Sequence, residues 1–114
     1  MNDIISIHKE LMRLSNALAN AVNEYDAAIR DGAEKRSSYD VLWAQAMLAA
    51  PDDATQKIKE ALATKTCAVE MTQARVAEAI RDALKERIRA LETVLSVQQS
   101  RLRYLEFSEK QDNL

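Results

Sequence analysis

Hydrophobic residues return every seven positions along the first fifty residues of the chain. Ile4, Leu11, Leu18, Tyr25, Tyr39 and Ala46 hold one seam position, and Ile7, Leu14, Ala21, Ala28, Leu42 and Ala49 hold a second, three residues on. Such spacing lays an apolar stripe along one face of an α-helix and is the pattern of a coiled coil. Asn2 or Asp3 suits the start, because a short polar side chain accepts from the free amides of the first turn. Asp31-Gly32 interrupts the pattern, with Ser37-Ser38 a turn later, and glycine costs about 1 kcal/mol against alanine inside a helix. Tyr25, Tyr39 and Ala46 keep one phase across this point, so a continuous or merely bent helix is expected. A break at Gly32, giving a short three-helix bundle, is the alternative.

Pro51, the only proline, lacks an amide hydrogen and biases Ala50 away from helical angles. It sets a first helix of about residues 3–50 and a turn at 51–53. Asp53 precedes Gln56 at capping-box spacing, so a second helix is expected over about 54–109, with a frayed tail at 110–114. Its stripe reads Ile58, Leu62, Val69, Val76, Ile80, Leu84, Ile88, Leu91, Leu95, Leu102 and Leu105. The steps from Ile80 to Leu84 to Ile88 are four and four, a stutter that locally unwinds a supercoil. At 1.5 Å per residue the two helices are on the order of 70 and 85 Å long. The expected fold is all-α: one domain, 1–114, of two long helices in an antiparallel coiled-coil hairpin, assembled with further copies into a helical bundle.

Folding about that turn sets Ile4 roughly opposite Ser100 and leaves Leu102, Tyr104, Leu105 and Phe107 beyond the end of the first helix. Four large side chains there need cover, by a second copy in the plainest reading or by a different protein, unless this end is simply frayed. The same folding brings Trp43 near Ala61 and Ala63. Trp43, Ile29 and Val22 share a flank of the seam and widen the apolar face beyond that of a two-stranded coiled coil, which again points to three or four helices in cross-section. Trp43, Leu102, Tyr104, Leu105 and Phe107 are therefore the candidate partner or dimer contacts. Gly32 and Lys35 come opposite Thr66, Thr72 and Gln73, and Gln98 is polar between Leu95 and Leu102. Polar seam residues fix the alignment of two helices, and a hinge is the alternative use.

One glycine and one proline leave little material for turns, and Ala, Leu, Glu, Lys, Arg and Gln are plentiful, which argues against all-β and α/β folds. Eighteen acidic and sixteen basic residues are interspersed, for a net charge of −2, so no global field demands nucleic acid or membrane. Cys67 has no second cysteine to pair with, and with His8 the only histidine no usual zinc constellation forms within one chain. There is no phosphate-cradling glycine loop and no nucleophile elbow. Glu78, Asp82 and Glu86 stand three residues before Arg81, Lys85 and Arg89, the spacing of surface ion pairs worth a few tenths of a kcal/mol. No enzyme, cofactor, metal or small-molecule substrate is expected. Asp3, His8 and Lys9 interrupt any signal peptide, and no run nears the roughly 20 apolar residues of a membrane span, so a cytoplasmic protein without a membrane partner is expected.

The nearest approach to a binding signal is basic. Arg81, Lys85 and Arg89 recur at one-turn intervals and Arg101 and Arg103 follow, a line able to track a phosphate backbone with Tyr104 or Phe107 as a stacking surface. These five are the candidate nucleic-acid contacts. Asp82, Glu86 and Glu92, set among them, favour instead a solvated face.

The segment KERIRALETVLSVQQSRLR, residues 85–103, resembles small all-helical proteins carried by bacteriophages and prophages. Tyr39 and Ala46 near the end of the first helix, the turn at 51–53 and Gln99-Ser100-Arg101 also fit that group, while Trp43 and the lack of glycine at the turn depart from it. The resemblance implies a viral protein of the host cytoplasm, either one that binds and neutralises a host protein or one from the replication and recombination region. Three roles are thus expected, in order: a non-enzymatic adaptor or inhibitor of a host protein, a DNA-binding accessory protein, and an assembly scaffold.

Overall fold

The computed structural model describes residues 2–112 and is all-helical, with no strand among them: α1 (Asn2–Ala49), α2 (Gln56–Thr66) and α3 (Ala68–Asp112). The expected tail is helical to Asp112, and 113–114 lie outside the described residues. α1 passes through Gly32 without interruption. Gly32 is buried, its φ is negative, and a Cβ built on it meets nothing within 4 Å. Neither backbone geometry nor steric exclusion requires glycine there.

Helix α1 ends one residue before Ala50, ahead of Pro51, and the turn closes with the Ala54 amide donating to the Pro51 carbonyl at 3.0 Å. The cap of α2 corrects the sequence reading. Thr55, in extended conformation, accepts the Ile58 amide on its Oγ1 at 3.3 Å, while Asp53 lies in the turn outside the helix. Threonine at this position satisfies one of the four orphan amides of a helix start.

The expected second helix is interrupted once, at Cys67, with φ −103° and ψ 16°. Hydrogen bonding survives the interruption, since the Cys67 amide donates to the Ala63 carbonyl and the Met71 amide to that of Cys67, both at 2.9 Å. Thr64, Thr66 and Thr72 surround it, and each hydroxyl donates to the carbonyl four residues back, at 2.8, 2.9 and 3.0 Å. Such back-bonding draws a carbonyl out of line and bends a helix. Thr93 makes the same bond alone, at 3.0 Å to Arg89, and α3 continues past it. It is the cluster of three that accompanies the break.

Two compact units form, Met1–Tyr25 with Ala83–Leu114, and Asp26–Asp82. In the first, Ile7, Leu14 and Ala21 are buried. Ile4, Leu11, Leu18 and Tyr25 from α1, and Leu84, Ile88, Leu91, Leu95, Leu102 and Leu105 from α3, are half-buried. These are the residues the heptad selects.

The second unit departs from the expected stripe. Ile58, Leu62, Val69, Val76 and Ile80 are exposed, and Ala63, Cys67, Ala74 and Ala77 are buried instead. With half-buried Glu70 and Arg81 these step four and three without a fault into Leu84 and Ile88, so the stutter read at Ile80 does not exist on α3. It came from following large residues one position off the seam and then rejoining it. Small side chains permit close approach of helix backbones, and the large residues one position earlier lie outside the seam. The stutter belongs to α1. Ala28, Gly32 and Arg36 turn inward in two successive steps of four, after which Tyr39, Trp43, Ala46 and Ala50 face inward and Leu42 and Ala49 are exposed. Across this unit the Arg36 Nε donates to Glu78 at 2.8 Å and the Tyr39 hydroxyl to the Met71 sulfur at 3.7 Å. The Arg36 guanidinium lies 5.5 Å above the Tyr39 ring, whose centroid is 6.1 Å from that of Trp43.

Candidate interaction surfaces

The four residues expected beyond the end of α1 divide into two pairs. Leu102 and Leu105 continue the seam and are half-buried, whereas Tyr104 and Phe107 are exposed, 69 and 61 %. An α-helix advances 100° per residue, so side chains two positions apart point in nearly opposite directions, and Leu102–Leu105 and Tyr104–Phe107 occupy different faces. Val94 and Val97 are exposed on α3 of the same unit. Trp43, in the other unit, is half-buried against Tyr39.

The basic line is not one surface. Arg81 sits half-buried in the seam with its guanidinium on Asp82 at 3.1 Å, and Arg89 bonds Glu86 at 2.9 Å. Lys85, Arg101 and Arg103 are exposed. Successive steps of four drift by about 40°, which carries Arg89 out to solvent, and Arg101 and Arg103 lie about 200° apart around the helix. Arg101 instead borders an open groove of about 410 Å³ with Ser6, Ile7, Lys9, Glu10, Arg13 and Gln98. There the Arg13 guanidinium clasps the Glu10 carboxylate, holding that carboxyl below its ordinary range and raising the pKa of Arg13 itself. The buried Gln98 Oε1 has no hydrogen-bond partner, and neither has the buried Glu70 Oε2 in the second unit.

Among the described residues no three of His, Cys, Asp and Glu gather where a metal ion could bind. His8 is exposed, and Cys67 is a free, buried thiol. Among the described residues no helix is long and apolar enough to cross a membrane.

Sequence reasoning missed the most regular surface of the second unit, because it assigned those residues to the core. Leu62, Val69 and Val76 repeat every seven residues, with Ile80 one turn beyond Val76, all exposed and one position before the buried seam. A signal was present: the small residues Ala63, Cys67, Ala74 and Ala77 keep the four-three spacing of Leu84 to Leu105, and the large ones do not. Comparison with known proteins returned no match, whether to a family model, a curated protein or a solved structure.

Proposed function

We propose that the chain is a non-enzymatic protein-protein interaction module, built as an antiparallel coiled-coil hairpin and acting through the outer faces of its helices. The observation that supports this is the number and order of exposed large apolar side chains. Among the described residues sixteen such side chains stand exposed, and the fully buried ones are mainly small. Scattered exposed leucines are ordinary, but apolar residues repeating at helical spacing offer an interface. The antiparallel arrangement is supported in the second unit by the order of contacts, for Arg36 meets Glu78 and Tyr39, further along α1, meets the earlier residue Met71. The face carrying Tyr104 and Phe107 is the proposed site for a different protein, aromatic side chains being the usual anchors of such contacts. An adaptor or inhibitor of a host protein, as the resemblance to phage helical proteins implies, fits this surface.

The nucleic-acid reading has less support, since Arg81 and Arg89 are already engaged by carboxylates. Affinity capture with the wild-type chain, compared with Tyr104→Glu/Phe107→Glu at matched helicity, tests the proposal. A protein retained by the wild type and lost by the variant is expected. Equal capture by both would remove the face from consideration, and DNA binding that weakens steeply with salt would install the basic residues in its place.

A further inference from the structure

We infer that the exposed face of Leu62, Val69, Val76 and Ile80 in the second unit is covered by a second copy of the chain. The inference deepens the interaction reading above but uses a different face from Tyr104 and Phe107, so each can fail alone. Its first support is the weakness of what lies beneath. In this unit the fully buried side chains are Ala63, Cys67, Ala74 and Ala77, and the large inward ones, Tyr39, Trp43, Met47 and Met71, are only half-buried. Alanine burial contributes little, and large side chains left half-buried contribute less than a closed core would. The missing burial stands one residue away, on Leu62, Val69, Val76 and Ile80, 42 to 65 % exposed. Cover on which folding depends must be present whenever the chain folds, and another copy of the chain meets that condition.

Charge fits the same occupant. On α3 the exposed residues turned this way are Val69, Thr72, Gln73, Val76, Ala79 and Ile80, none of them charged, with Arg75 at the edge. Asp31 and Lys35 border it across an open groove of about 250 Å³ lined also by Gln73, Val76 and Ile80, and they satisfy each other at 2.6 Å. Two copies apposed on a two-fold axis bring each patch against itself, which an almost neutral apolar face tolerates and a charged one does not.

Light scattering of the full chain from about 1 to 100 µM, with helicity followed by circular dichroism, is the test. The wild type is expected at the mass of two chains throughout. Val76→Glu/Ile80→Glu is expected to weaken dimerisation at least about 100-fold, as the loss of two interface anchors does. Because that variant can fail to fold, a spin label at Gln73→Cys in a Cys67→Ala chain supplies an independent readout. Copies packed at helix separations of about 8–10 Å give a short distance between labels on different chains. A folded wild-type monomer at every concentration would overturn the inference and leave the Tyr104–Phe107 proposal standing. So would a dimer in which the labels at residue 73 show no short distance.

Discussion

The two units bury their seams by opposite means. In the first, leucine and isoleucine fill the positions between α1 and α3, and apart from the buried Ile7 and Leu14 they are half-buried. In the second, Ala63 and Ala74 are completely buried at 0 % exposure, yet an alanine carries one methyl group where a leucine carries four aliphatic carbons. Full burial of a leucine side chain stabilises by about 1.5–3 kcal/mol and each methylene by about 0.8 kcal/mol. In the second unit complete burial thus falls on residues that gain little from it. The second unit supplements its small seam with polar contacts, an Arg36–Glu78 ion pair and a Tyr39–Met71 contact, for which the first unit has no counterpart among the described residues.

Leu14→Ala tests the contrast most severely. At 2 % exposure Leu14 should cost about 2–5 kcal/mol on truncation, read from urea unfolding at fixed protein concentration. A loss under about 1 kcal/mol would mean that the first unit does not carry the stability assigned to it. Enlargement is the matching test of the second unit, where Ala74→Leu should destabilise by about 1–3 kcal/mol through overpacking. A neutral result would show that the helices do not approach closely there. Gly32→Ala should stabilise by about 0.5–1 kcal/mol, since the added methyl meets nothing within 4 Å and the helix gains propensity. A decrease in melting temperature would reveal a use for glycine, such as a hinge. The smallest effect belongs to Arg36 and Glu78, whose side chains are 43 and 27 % exposed. A double-mutant cycle with Arg36→Gln and Glu78→Gln should give a coupling of about 0.2–1 kcal/mol that shrinks with added salt.

Helix class and the end of α1 were legible because their signals are local. Pro51 stops α1 whatever surrounds it, and Tyr25, Tyr39 and Ala46 stay inward on both sides of Gly32, although a stutter there turns Leu42 and Ala49 out. The inner face of the first unit was legible for the same reason, since Leu84 to Leu105 are both the largest residues and the seam. In the second unit size and position separate. A scale that ranks valine above alanine selects Leu62, Val69 and Val76, whereas close approach of two helices selects Ala63, Cys67 and Ala74. The interruption at Cys67 has neither glycine nor proline to announce it. It is accompanied by three hydroxyls bonded to carbonyls one turn back, and a single such bond at Thr93 leaves α3 intact. The candidate surfaces were half legible: Tyr104 and Phe107 stand out, but Leu102 and Leu105 share their segment and turn the other way.

Cys67 lies at the break between α2 and α3 and is 1 % exposed. As the chain's only thiol it is a built-in clock for the opening of that joint. An alkylating reagent reaches the sulfur only when the surrounding turns part, so the rate of labelling, with no probe added to the protein, counts how often they do.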